Sequence, residues 1–136
     1  MLQQTNGKLR TYITFKSNFG RDKYLSVLKS FEQRRCIIQL RISCYQLKIE
    51  TGKYQGTLLQ DRKCERCSSG EVEDEYHFLF HCNKLENDRN LLLKEIGKSC
   101  PNFKRLNSKD KLVCLMHTEE KSVLTTIATF ILMKMK

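Results

Sequence analysis

The sequence predicts a mostly α-helical fold, a small helical domain organised around a knuckle of cysteines and a histidine. Three observations carry this. Across residues 32–50 the apolar side chains recur at steps of three and four, the period of a helix that buries part of its circumference. Cys64, Cys67, His77 and Cys82 fall within 19 residues as Cys-x2-Cys-x9-His-x4-Cys. The length of 136 residues fits one domain, and 40% hydrophobic against 29% charged residues suits a globular one.

In chain order, residues 1–21 read as an extended or irregular basic arm, with Leu9, Ile13 and Phe15 loosely alternating and turn signals at Asn6-Gly7 and at Asn18-Phe19-Gly20. The helical domain occupies 22–136, with the knuckle at 62–89. Its first helix is short, 22–31, capped by Asp22, with Tyr24, Leu25 and Leu28 on the apolar face. A longer helix is expected over 32–50, ending near Thr51-Gly52. A polar connection, 54–62, leads into the knuckle. Ser68-Ser69-Gly70 is a turn, and Glu73-Asp74-Glu75 starts a short helix that carries His77. Helices are expected over 87–96, stopped by Gly97 and Pro101, over 108–117 and over 119–135. Internal repeats and low-complexity segments are absent.

Cys64, Cys67, His77 and Cys82 form a complete donor set for one tetrahedral zinc ion, with a Cys-x2-Cys turn at its start. Three sulfurs and one nitrogen close the coordination shell. No position is left for water, so such an ion is structural rather than catalytic. His77 and Cys82 are five residues apart and would point about 140° apart on an ideal helix. Both reach one ion if the helix ends or tightens just before Cys82, which Asn83 favours. His81 is the competing nitrogen, but its neighbour Cys82 cannot face the same ion from a helix.

Seven cysteines without a signal peptide predict a reducing, intracellular setting, nucleus or cytoplasm. Cys36, Cys44, Cys100 and Cys114 are then small core residues rather than catalytic thiols. No apolar run reaches the roughly 18 residues needed to span a membrane. The most apolar window, 123–133, carries Thr125, Thr126 and Thr129.

The net charge of +10 is unevenly placed. Residues 1–63 hold 13 Lys and Arg against 4 Asp and Glu, and residues 64–136 hold 12 against 11. A concentrated positive field favours a polyanion, most often nucleic acid, through release of condensed counterions. On a helical wheel over 32–50, Ile37, Leu40, Cys44 and Leu47 form one apolar stripe, and Ile38, Ile42, Tyr45 and Ile49 a second. Arg34, Arg41 and Lys48 run between them. This row is expected to track a phosphate backbone, helped by Lys53, Arg62 and Lys63 near the knuckle. The alternative is that these long side chains extend over packed neighbours to reach water.

Catalytic arrangements are weak. Glu73, Asp74 and Glu75 could group around magnesium in a nuclease, but an acidic helix start or partners of His77 explain them as well. A Gly-rich phosphate loop, an HExxH motif and a nucleophile elbow are all missing, so no enzyme is expected.

One resemblance covers residues 8–95. It opens on Lys8-Leu9-Arg10-Thr11-Tyr12 with Phe15-Lys16. It continues through Arg41-Ile42-Ser43, the run Leu47-Lys48-Ile49-Glu50-Thr51-Gly52-Lys53, and Cys64 with Cys67. It closes on Val72-Glu73-Asp74-Glu75-Tyr76-His77-Phe78-Leu79, Cys82 and Arg89. The chain resembles the C-terminal zinc-binding segment that follows the reverse transcriptase domain in LINE-type (non-LTR) retrotransposon polyproteins. Tyr45 stands where many relatives have His, and Asn83 where many have Pro; neither is a ligand. A Tyr-x-Asp-Asp polymerase motif is absent.

The resemblance implies a tail that binds RNA or target DNA, assists target-primed reverse transcription, and has a reverse transcriptase domain as a partner. The expected function is therefore a zinc-dependent module that binds RNA or DNA backbone with little sequence preference. The alternatives are a zinc-stabilised protein-interaction adaptor, suggested by the stripe Val123, Ile127, Phe130 and Ile131, or an inert retrotransposon fragment.

Overall fold

The computed structural model describes residues 24–134; the basic arm 1–21, the Asp22 cap and the opening of the family resemblance lie outside them. Ten helical segments succeed one another among the described residues. They contain no β-strand, only a single antiparallel bridge between Lys63 and Val72. The mostly α-helical architecture expected from the sequence is the one found. None of the described helices is long and apolar enough to cross a membrane.

Helix α1, Tyr24–Val27, is a single turn that ends where Leu28 enters the core. Helix α2, Phe31–Arg41, is capped by Ser30, whose hydroxyl accepts the Gln33 N–H at 3.4 Å. The expected continuous helix over 32–50 breaks here. Ser43 adopts φ 61°, and two hydrogen bonds close the end: Ser43 N–H to Leu40 O at 3.2 Å and Cys44 N–H to Gln39 O at 2.8 Å. This pair of bonds is the Schellman arrangement, with a serine in the left-handed position that glycine usually takes.

The chain then restarts as α3, Lys48–Tyr54, after the extended Leu47. Its first amides have no local cap. A distant residue supplies the acceptors instead: Lys48 N–H donates to Glu73 Oε1 at 2.9 Å, and Ile49 N–H to Glu73 O at 3.1 Å.

A 3-10 turn, Leu59–Asp61, leads to the knuckle. Helix α4 runs Glu86–Ser99, so Gly97 lies inside it rather than ending it. After the 3-10 turn Phe103–Arg105, Asn107 caps α5, Ser108–His117, by accepting the Asp110 N–H at 2.8 Å. Helix α6, Lys121–Lys134, packs against both α2 and α4.

Val123, Ile127, Phe130 and Ile131 are buried in that packing, so the stripe considered for a partner is core. Of the four cysteines outside the knuckle, Cys36 is buried, Cys100 and Cys114 are half-buried and Cys44 is exposed. The break at Ser43 turns Cys44 outward, off the stripe that a continuous helix would have made.

One aromatic line ties the layers together. Phe78, fully buried, lies 5.6 Å from Tyr45 and 5.3 Å from Phe130, centroid to centroid. The Tyr45 hydroxyl donates to Ile131 O at 2.8 Å. The segment that carries His77 is thereby part of the main core.

Candidate metal centre

The knuckle hangs on a short ladder. Cys64 N–H donates to Glu71 O at 2.9 Å and Glu73 N–H to Arg62 O at 3.0 Å, so the two arms run antiparallel. Between them, Gly70 at φ 79° supplies the left-handed residue that reverses the chain. Below the ladder Arg62 is buried, donating Nε–H to Thr57 O at 2.9 Å and Nη1–H to Ile49 O at 3.1 Å. Its side chain lies against Gly52, where an added Cβ would come within 2.6 Å of Arg62 Cγ. Gly52 thus reads as a close-approach glycine that lets the arginine fasten the hairpin to α3.

His77 and Cys82 come together by widening the helix. Residues His77–His81 form a π-type turn, and Cys82 N–H reaches back five residues to His77 O at 2.7 Å. A five-residue spacing suits that turn, which ends at the extended Cys82 and passes into the 3-10 turn Asn83–Leu85. The sequence pointed to a helix that ends or tightens; it widens and then ends. Arg89 holds the result in place. Buried beneath the turn, it donates to Leu79 O at 2.7 Å, Cys82 O at 2.8 Å and Phe78 O at 3.4 Å.

Cys64, Cys67, His77 and Cys82 are all buried, and their ligand atoms lie within 4.8 Å of one another. Cys64 Sγ is 3.9 Å from Cys82 Sγ, and Cys67 Sγ is 3.3 Å from His77 Nε2. With metal–sulfur bonds of about 2.3 Å and metal–nitrogen bonds of about 2.0 Å, tetrahedral edges come to roughly 3.5–3.8 Å. The four groups could therefore hold one metal ion. His81, the competing nitrogen, is exposed and faces Ser108 Oγ at 2.9 Å.

The surroundings orient these groups. His77 Nδ1 is 2.9 Å from Glu71 Oε2, so an Nδ1–H given to Glu71 leaves the Nε2 lone pair facing the sulfurs. Asp74 accepts the His77 backbone N–H at 2.8 Å. Glu73, expected beside His77, instead pairs with Arg66, and one of its oxygens lies 3.7 Å from Cys64 Sγ. The Arg66 guanidinium also covers the Phe78 ring at 5.6 Å.

The two knuckle thiols are tuned in opposite directions. The Ser69 hydroxyl, then the Ser69 amide, hold Cys67 down at about 6, while burial pushes Cys64 up to about 12. A cation at the centre would lower the latter.

The break in the helix separates Lys48 from Arg34 and Arg41, which share α2, so the expected row of three is interrupted. Arg34 donates to Leu28 O at 2.7 Å and Lys29 O at 2.8 Å. Arg41 is buried and donates to Met116 O, also at 2.7 Å. Lys48 pairs with Glu65 at 2.7 Å, and Lys53 lies 4.0 Å from Glu50. Arg62 fastens the hairpin, and Lys63 is exposed. These side chains do not form one row. Sequence reasoning missed the inward roles of Arg41, Arg62 and Arg89: Arg41 meets a main-chain carbonyl 75 residues away, Arg62 carbonyls 5 and 13 residues away, and Arg89 carbonyls 7, 10 and 11 residues away. Compared with family models, curated proteins and solved structures, the chain gives no match.

Proposed function

We propose that this protein is a zinc-stabilised nucleic-acid-binding module, holding the phosphate backbone of RNA or DNA with little sequence preference and catalysing nothing itself. The observation that carries this is a buried Cys3His cluster in a chain of net charge +10. Three thiolates and an imidazole favour a borderline-soft tetrahedral cation, and zinc fits that choice. They leave it no open coordination position, so the ion's contribution is shape. A positively charged domain shaped by an ion suits a polyanion. The likeness of residues 8–95 to the tail of LINE-type reverse transcriptases points to the same ligand, with the polymerase domain as the natural neighbour.

The test is a titration of the zinc-loaded chain against labelled single-stranded RNA and duplex DNA at several salt concentrations. Micromolar or tighter binding whose logarithm falls linearly with the logarithm of salt supports the reading. A folded, metal-containing chain that binds neither polymer sinks it. Binding to a protein partner that ignores salt would instead favour the adaptor reading, for which the exposed Tyr54 and Leu58, between α3 and the knuckle, offer an apolar contact.

A further inference from the structure

Two segments distant in sequence meet at one end of the helical bundle. His81, the last residue of the π-type turn, faces Ser108 at the start of α5 at 2.9 Å. Lys111, one turn further on, lies over two rings, 6.0 Å from Phe80 and 5.9 Å from Phe103. The rings are themselves 6.2 Å apart. Around this junction Lys84, Lys104, Arg105 and Lys109 are exposed. Between residues 98 and 118 the only carboxylate is Asp110. The second half of the chain is close to neutral as a whole, but this end of it is strongly basic.

We propose that this end, formed by Lys84, Lys104, Arg105, Lys109 and Lys111 around His81, is where the phosphate backbone of a nucleic acid binds. The proposal rests on the nucleic-acid reading above and places it away from residues 34–48. Three features favour a polyanion. The cations sit on short turns and a helix start rather than on a loose tail. The stretches 81–84 and 104–111 themselves carry none of the exposed large hydrophobics Phe31, Tyr54, Leu58, Leu91 and Met133. The patch is also joined to the metal centre, since His81 and Lys84 flank Cys82. By contrast, the arginines at 34, 41 and 62 donate to carbonyls of their own chain.

The experiment compares the metal-loaded full chain with two triple variants by fluorescence anisotropy on labelled RNA and duplex DNA. One variant, Lys104→Gln/Arg105→Gln/Lys109→Gln, removes charge from the patch and leaves Lys111 on its rings. The other, Lys29→Gln/Arg35→Gln/Lys121→Gln, removes three exposed cations elsewhere. The patch variant is expected to bind at least about tenfold more weakly, with a salt slope shallower by about two to three, and the control to stay within about threefold of wild type. Single variants Lys104→Gln and Lys109→Gln, each at an exposed position, should lower the slope by about one and serve if the triple variant loses helicity. Equal losses in both triple variants, or none in the patch variant, overturn the proposal while leaving nucleic-acid binding in place. No binding by wild type overturns both.

Discussion

Glu71 lies six residues before His77, and its carboxylate takes the Nδ1 side of the imidazole. That contact fixes which nitrogen faces the sulfurs, and such partners commonly contribute about 10–100-fold to metal affinity. The Glu71 side chain is 58% exposed, so water can partly replace it. Glu71→Ala is therefore expected to weaken metal binding by about tenfold, read by competition with a chromogenic chelator; an unchanged affinity would mean that the hairpin alone orients the ring. The cluster of Cys64, Cys67, His77 and Cys82 was legible because its metal-binding chemistry is in the identities and spacing of its residues. Glu71 was not, since the run 73–75 is the more obvious acidic partner and only the antiparallel ladder brings residue 71 to the ring. Cys36 offers a second test at this scale. Its thiol donates to Gln33 O at 3.2 Å between α2 and α6, and burial pushes it from 9.0 up to about 11. A raised value means that burying the neutral thiol stabilises the fold below about pH 9, and that this is lost as pH rises towards 11. The loss should be about 2 kcal/mol. Urea unfolding between pH 8 and 11 should show it, and Cys36→Ala should flatten that limb relative to wild type.

The elements show where pattern and local chemistry part. Over 32–50 the apolar stripes continue through Ser43, so periodicity alone gives no stop signal. The stop comes from a left-handed serine and two hydrogen bonds, and the restart from Glu73 lying 25 residues away from Lys48. With the break, Arg34, Arg41 and Lys48 cease to be a row. The opposite error occurs at Gly97, which reads as a terminator but is followed by two more helical residues, with Cys100 N–H closing onto Ile96 O at 2.8 Å. Helices α5 and α6 were legible: the expected spans 108–117 and 119–135 are found as Ser108–His117 and Lys121–Lys134, and the stripe Val123, Ile127, Phe130 and Ile131 is buried. Two glycines test this account with opposite signs. Gly97 lies in a helix with nothing near its missing Cβ, so Gly97→Ala should stabilise by about 0.5–1 kcal/mol. Gly56 closes α3 at φ 74° with equally open surroundings, so Gly56→Ala should cost about 1 kcal/mol through the backbone alone. Chemical denaturation of both variants measures the pair; the same sign for both would contradict the helix ends described.

For the whole molecule, the question is whether the knuckle is an appendage or part of the core. Phe78 and Leu79, which directly follow His77, are fully buried, and Phe78 contacts both Tyr45 and Phe130. Glu73 accepts the Lys48 N–H and Glu65 pairs with the Lys48 ammonium, tying the knuckle to the start of α3. Arg89, from α4, satisfies the carbonyls of the π-type turn. If the ligands separate, the turn loses what holds its wide spacing, and Phe78 loses its fixed place between α6 and the corner after α2. Unfolding should therefore be a single transition shared by the hairpin and the helices. Zinc in small domains supplies on the order of 10–16 kcal/mol of apparent binding free energy, much of it expressed as folding free energy. Even about 5 kcal/mol would correspond to a fall in Tm of about 15–20 °C for a domain of this length. Stripping the metal with a strong chelator, or replacing Cys64 and Cys82 by serine, should lower the far-ultraviolet helical signal and the melting temperature together. If the metal-free chain instead melts within a few degrees of the loaded one, with full helicity, the aromatic line through Phe78 holds the fold without an ion.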